Sequence, residues 1–277
     1  MKLAAVYLVF KDEPFVPASY AAMYPVVDAI CATTGYDRNL DGKPLEPDGT
    51  VQRLLSLPDP DNKLRITIPR NNTWLPGKDA PARLRNAAIA LAPEADYYLI
   101  IDADEVYPTD VLQRAWDEVK RTQWAGYRIR SWTYFKSWNL RIEPNNDYRP
   151  FVFLRKGFLF NNDRQVNWRS WSRYTEYVRK WRKPKIVTFD EDLYLHHGSM
   201  VGDDERVETK IKNWSHNDLV DPDWFENVWK KITPESKNIH PFRGSSALYP
   251  GLKHIPTAEL PKEVSQAPWP EGWIEKS

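Results

Sequence analysis

Apolar residues fall in short unbroken runs along the first hundred positions. Leu3 to Phe10, Val26 to Ala32 and Tyr97 to Ile101 show almost no alternation of polar and apolar residues. That pattern predicts strands buried on both faces. Leu64 to Ile68 alternates, which predicts a strand with one wetter side. Helical spacing lies between these runs. Pro17 to Tyr24 predicts a short helix with proline in its first turn. Asp79 with Pro81 predicts a helix start, and Leu84, Ala87, Ala88 and Leu91 then recur at i, i+3, i+4 and i+7. Pro93 stops that helix. Thr109 predicts the cap of another, with Leu112, Ala115, Trp116 and Val119 as its stripe. Residues 35–62 predict a long loop with one helical turn near Val51 to Leu57. The order β-α-β-loop-β-α-β-α predicts parallel strands and half of a doubly wound sheet.

Beyond residue 120 the pattern is less regular. Gly126 to Trp132, Phe151 to Leu154, Ile186 to Phe189 and Leu193 to His196 predict strands, and the segments between them follow no period. Asp203 predicts the cap of a helix bearing Val207, Ile211 and Trp214. Asp221-Pro222 predicts another bearing Trp224, Phe225, Val228, Trp229 and Ile232. Residues 234–277 hold seven prolines. Such a tail cannot be long regular structure, and it is expected to wrap over the domain or stay partly mobile.

The chain has 277 residues and is 42% apolar, enough for one large domain or two small ones. Its single cysteine, Cys31, excludes an internal disulfide framework and fits a reducing compartment. Cys31 lies in an apolar run and is expected to pack rather than react. The N-terminal residues make a poor signal peptide, and no apolar run approaches the ~20 residues of a membrane span. The expectation is a soluble cytoplasmic protein, with peripheral membrane contact left open. The net charge of +1 conceals an asymmetry. Residues 121–185 hold 16 Lys or Arg against 4 Asp or Glu, together with 16 of the 37 aromatic residues. Cations interleaved with rings suit sugars, bases or a polyanion. They also suit an amphipathic surface whose charges are merely solvated.

The densest chemistry lies in Asp102-Ala103-Asp104-Glu105. An apolar strand runs into three carboxylates where it should emerge from the sheet, and open α/β sheets bind ligands at that edge. Crowded carboxylates repel one another unless a cation offsets them. Asp102 and Asp104 share one side of an extended chain, and hard oxygens so placed suit Mg²⁺ or Mn²⁺ holding a diphosphate. A lone Asp-x-Asp is more often a solvated corner; the buried strand before it gives this one weight. His196 and His197 follow another apolar strand, and on an extended chain only one of them can face a metal. Arg83, Arg85-Asn86, Lys210 and Lys212 can each grip a phosphate or lie on a solvated helix face. No glycine-rich dinucleotide or P-loop motif, no Cys/His zinc pattern and no Gly-x-Ser-x-Gly elbow is present.

Taken in order, these motifs resemble a family-2-type glycosyltransferase with the GT-A fold. Val6 to Glu13 resembles the family's first strand and the Lys-Asn-Glu that ends it, with Asp12 in place of Asn. Val27 to Ile30 resembles the second strand. Arg85-Asn86 resembles the Arg-Asn helix start, and Leu99 to Glu105 the Asp-x-Asp strand. Tyr194 to Gly198, followed by Lys210, resembles a later His-x-Gly and Lys element, a spacing that favours His196 over His197. The resemblance covers about residues 1–215 and implies a mostly parallel, Rossmann-like α/β sheet flanked by helices. It implies a nucleotide-sugar-binding half over 1–108 and an acceptor-binding half over 109–233, leaving 234–277 as a Pro-rich extension.

By the same resemblance, Asp102 and Asp104 hold a divalent metal, Mn²⁺ or Mg²⁺, and the nucleotide sugar. Glu13 and Arg85 line the nucleotide pocket, Lys210 belongs to the later element, and His196 approaches the metal or diphosphate. Inverting members use a carboxylate base, and Glu176 in Tyr174-Thr175-Glu176 is the candidate, with Asp147 and Asp163 as rivals. Thr33 stands where the family has an Asp that contacts the nucleobase, so either Asp37 replaces it or the base is read differently. The expected partners are a nucleotide sugar and an acceptor that is a glycan or modified DNA or RNA. The alternatives are a non-catalytic nucleic-acid- or glycan-binding protein on a degenerate transferase domain, and a sugar-nucleotide nucleotidyltransferase.

Overall fold

The computed structural model describes residues 1–10, 13–34, 49–68, 80–145, 148–162, 165–168, 185–190, 192–213 and 216–275. In chain order the first half contains β1 (Leu3–Leu8), α1 (Val16–Met23), β2 (Ala29–Thr33), α2 (Thr50–Leu55), β3 (Leu64–Thr67), α3 (Ala80–Ala90), β4 (Tyr97–Asp102), β5 (Glu105–Val106) and α4 (Thr109–Thr122). The second half contains β6 (Gly126–Arg128), β7 (Arg130–Ile142), β8 (Phe151–Arg155), β9 (Phe158–Asn162), β10 (Gln165–Trp168), β11 (Ile186–Thr188), β12 (Tyr194–Val201), α5 (Asp204–Asn213) and β13 (Leu252–His254).

The main sheet has the order β11-β6-β8-β4-β1-β2-β3. β4, β1, β2 and β3 are mutually parallel, as the βαβ pattern predicts, and β8 is antiparallel to both β4 and β6. The result is a mixed α/β fold with a central sheet flanked by helices. The unbroken apolar runs have a direct physical cause. Leu3, Ala5 and Tyr7 enter one core cluster with Tyr97, Leu99 and Ile101, while Ala4 and Val6 enter another with Tyr98, Ile100 and the α3 residues Ala82 and Ala88. Leu3–Tyr7 and Tyr97–Ile101 are therefore apolar at every position, and each large side chain so buried contributes roughly 1.5–3 kcal/mol.

A second sheet has the order β13-β7-β12-β5. β5 begins three residues after β4 ends, so the Asp102–Glu105 corner joins the two sheets. β7 is thirteen residues long and runs ten residues beyond Trp132, where the strand expected over Gly126 to Trp132 ends. Its pattern is hard to read because it too is buried on both sides. Tyr134 and Trp138 enter the main core, whereas Phe135 enters a third cluster with Met200, Trp224 and Trp229. Lys136, at φ 68°, interrupts the alternation.

The proline-rich tail is held by β7 and the core. β13 pairs with Leu140–Ile142, and Ile255, Leu260, Val264 and Trp273 are buried in the main cluster. The start of α4 differs from the sequence expectation. The Thr109 hydroxyl donates to the Ala22 carbonyl instead of capping its helix, and Glu263 from the tail accepts the Thr109 N–H at 3.0 Å. Asp203 does cap α5, accepting the Arg206 N–H at 2.9 Å. Among the described residues no helix is long and apolar enough to cross a membrane.

Candidate functional site

The site is built on the corner where β4 leaves the main sheet. The Ala103 N–H donates to the Leu8 carbonyl at 3.1 Å, which fixes the corner to the end of β1. Glu105, fully buried, accepts the Asp102 N–H at 3.0 Å. Ala103 and Asp104 form a turn, so the period-two alternation stops there. Asp102 and Asp104 consequently address different cations, not the shared side that an extended chain would give them. Asp102 pairs with Arg85, whose Nη2 donates at 2.9 and 3.1 Å to its two carboxylate oxygens. The Arg85 side chain is only 2% exposed, against 29% for Asp102. α3 sets this pair. Next to Arg85, Asn86 exchanges two hydrogen bonds with the backbone of Phe160 in β9, at 2.8 and 2.9 Å.

Asp104 is buried and surrounded by positive charge. Lys210 Nζ donates to its Oδ2 at 2.5 Å, Arg206 Nη2 stands 3.9 Å from the same oxygen, and His197 Nε2 stands 3.8 Å from Oδ1. Burial by itself raises the pKa of this carboxyl. The charges of Lys210, His197 and Arg206, with the Lys210 hydrogen bond, outweigh that effect and hold it below the usual carboxylate range. The Gly198 N–H donates to the Asp104 carbonyl at 2.8 Å, which ties β12 to the corner.

The two histidines separate as strand geometry demands, but in the order opposite to the sequence expectation. His196, expected at the metal or diphosphate, is turned away from Asp104. Its Nδ1 is hydrogen-bonded to the Tyr134 hydroxyl at 2.7 Å, and its ring stacks on that of Tyr134. Burial, helped by the nearby Arg141 charge, pushes its pKa down to about 3, so it is neutral. His197 is the imidazole at the corner. Its register partners are Glu105 in β5 and Thr133 in β7, and its ring stacks on Tyr148 at 5.7 Å. The His-x-Gly spacing gave the wrong neighbour because the turn at Asp104 decides which face of β12 meets the carboxylate.

Other expected residues divide. Lys210 is brought to Asp104, and Arg85 to Asp102. Thr33 is buried, and its hydroxyl donates to the Leu84 carbonyl at 3.1 Å, so it anchors α3 to β2. Glu13 opens a short 3-10 helix, and its side chain lies outside the described residues, as do Glu176, Asp37, Asp147 and Asp163. Arg206 was missed, although its i, i+4 spacing from Lys210 puts the two cations on one side of α5. Among the described residues no group of three or more His, Cys, Asp or Glu side chains is disposed to hold a metal ion. The carboxylates expected to ligate one are each paired with a protein cation, and the donor set as it stands does not fit a divalent ion.

No family model and no curated protein matches the chain. Solved structures do. S. aureus TarS 1-349 in complex with UDP-GlcNAc matches at 13% identity and a TM-score of 0.46, over 73% of this chain and 60% of that one. The same protein without that ligand matches at 14% and 0.43, over 72% and 61%. Glucosyl-3-phosphoglycerate synthase from Mycobacterium tuberculosis, in complex with Mn2+ and UDP-glucose, matches at 13% and 0.31, over 48% and 43%. The chain thus spans less than two thirds of each of these chains. At such scores the likeness adds nothing to what the strand order shows by itself.

Proposed function

We propose that the chain is a glycosyltransferase that moves a sugar from a nucleotide-sugar donor to an acceptor hydroxyl. The observation that carries this reading is the Asp104 corner. A buried carboxylate held ionised among Lys210, Arg206 and His197 sits beside the ends of parallel strands β1 and β4, where open α/β sheets take ligands. Asp102, the more exposed carboxylate, accepts hydrogen bonds from the donor's hydroxyls while Arg85 keeps it oriented. Lys210 and His197 meet the diphosphate and offset the charge that develops on it as the glycosidic bond breaks. Glu176 removes the acceptor proton, and attack opposite the leaving group inverts the anomeric centre. A divalent ion would hold at Asp104 only in exchange for Lys210. The excess of cations over residues 121–185 supports a polyanionic acceptor such as modified DNA or RNA over a neutral glycan.

The test is a panel of sugar nucleotides, beginning with UDP-GlcNAc and UDP-glucose, assayed for hydrolysis and thermal stabilisation with Mn²⁺, Mg²⁺ or chelator. One nucleotide should raise the thermal midpoint, and Asp104→Asn should lower turnover by about 10²–10³-fold. The metal arms report whether the Lys210 exchange takes place. A chain that responds to no nucleotide is not a transferase. A non-catalytic binding protein would keep its partner affinity in the Asp104→Asn variant and have no turnover to lose. Absence of binding to duplex DNA at low salt would remove the polyanion.

A further inference from the structure

Arg206 packs against aromatic rings contributed by opposite ends of the chain. Its Cζ is 4.4 Å from the Phe15 ring centre and 5.7 Å from that of Trp273. Nη1 donates to the Val201 carbonyl at 2.7 Å and the Ser199 carbonyl at 3.3 Å, while Nη2 faces Asp104. The guanidinium is therefore walled by rings on one side and committed to β12 and the carboxylate on the other. Lys210 follows it by one helical turn, so the position of Arg206 sets where Lys210 arrives.

Trp273 is fixed by more than burial. The Trp138 N–H donates to its carbonyl at 2.8 Å. Two residues on, the Glu275 N–H donates to Asn139 Oδ1 at 2.8 Å, and Asn139 Nδ2 donates to the Ile255 carbonyl at 2.9 Å. One buried asparagine of β7 thus clamps both ends of the tail segment. Gly198 in β12 and Gly202, just beyond its end, allow the close approach. A Cβ at Gly202, where φ is +141°, would meet Arg206 Cδ at 2.8 Å and the Trp273 ring at 3.1 Å; one at Gly198 would meet the rings of Phe15 and Trp138 at 2.7 and 2.8 Å. No side chain fits between β12 and these rings.

We infer that the C-terminal tail is a working part of the site, in which Trp273 is a positioning residue that holds Arg206, and through it the Asp104–Lys210 pair. The inference rests on the transferase reading for its catalytic consequence. An apolar residue of similar bulk would fill the space at 273, but only a ring offers a face to the guanidinium. Without that face Arg206 can swing toward water, Asp104 loses one of its counter-charges, and the first turn of α5 loses its register.

The test compares Trp273→Leu, Trp273→Phe and Leu260→Ala, the last a buried core residue of the tail that offers no ring to Arg206. Lys210 exposure is read by acetic anhydride labelling and peptide mass spectrometry, below the thermal midpoint of every variant. Kinetics on the best nucleotide sugar are read alongside. Trp273→Leu should raise Lys210 labelling and lower kcat, each by about tenfold, since small misplacements of a site cost this much or more. Trp273→Phe should stay within about twofold of the parent on the same scale, and Leu260→Ala should change neither quantity even where its midpoint falls as far. Equal behaviour of the Leu and Phe variants, or labelling raised as much by Leu260→Ala, would overturn the inference. The labelling arm needs no substrate. If labelling responds as expected and no sugar nucleotide is turned over, the tail coupling stands and the transferase reading falls. If turnover is present and labelling is flat, the coupling alone falls.

Discussion

Two adjacent histidines on β12 occupy opposite electrical environments. His196 sits against Tyr134 in a closed aromatic setting, is 5% exposed and is neutral. His197, one residue on, faces an ionised carboxylate flanked by Lys210 and Arg206. The backbone between them differs by a single peptide. The contrast shows that the same imidazole serves packing or charge according to which side of a pleated strand it leaves. It also shows how a fold keeps buried charge local. On the Asp104 face the carboxylate is offset by Lys210 and Arg206, and on the His196 face the proton is simply given up.

The comparison can be broken most forcefully at Asp104. Asp104→Asn removes the negative charge and leaves Lys210 and Arg206 without it. Turnover should fall by about 10²–10³-fold, and urea unfolding should show a loss of roughly 3–5 kcal/mol. An Asp104→Asn protein as stable as the parent would mean that the cations are held by something other than this carboxylate. Next in size is the histidine pair itself. His197→Ala should lower kcat by about 10²-fold with a small change in thermal midpoint. His196→Ala should do the reverse, costing about 2–4 kcal/mol of stability while kcat per folded molecule stays within about threefold, too small a change for a residue that touches reacting groups. Exchanged outcomes would return His196 to the site.

The pH dependence sharpens the same contrast. The native pKa of His196 is pushed down to about 3 and that of the buried His240 to about 4, both by burial. Each lies below the unfolded value of about 6.5. Above pH 6.5 neither state binds the proton, and their contribution to stability is whole. As pH falls from 6.5 toward 4 the unfolded chain takes up protons that the native state refuses, so stability should drop by up to ~1.4 kcal/mol per pH unit for each group. Asp104, depressed instead, keeps its contribution until pH falls below the usual carboxylate range. Urea midpoints measured at pH 7, 6, 5 and 4.5 should fall along this slope, and less steeply in His196→Gln. An unchanged slope in that variant would remove His196 from the acid response. The smallest effect belongs to Tyr134→Phe, which deletes the hydrogen bond to His196 and should cost about 1 kcal/mol with kcat unaffected.

Much of the main sheet was legible from the chain, because strands buried on both faces leave an unbroken apolar signature that no loop imitates. β1, β2 and β4 were found in this way, and α3 and α4 by their stripes. β7 was not, since its two faces feed two different clusters and its rings and cations mask any period. Arg85 and Lys210 could be picked out as cations able to grip a phosphate, but their pairing with Asp102 and Asp104 could not. The Thr109 cap failed for a related reason: the partner that satisfies its N–H, Glu263, lies 154 residues away.

By itself the sequence determined that a parallel sheet would end in crowded carboxylates, because apolar period and charge density are local properties of the chain. The tertiary structure alone decided which charges meet. The turn at Ala103–Asp104 directs Asp102 to Arg85 and Asp104 to Lys210. The pairing of β12 with β5 and β7 gives the corner His197 and withholds His196. The tail, unreadable as proline-rich sequence, brings Trp273 to Arg206 because hydrogen bonds from β7 hold it there. Electrostatic interaction falls off with distance in space, and distance along the chain does not report it.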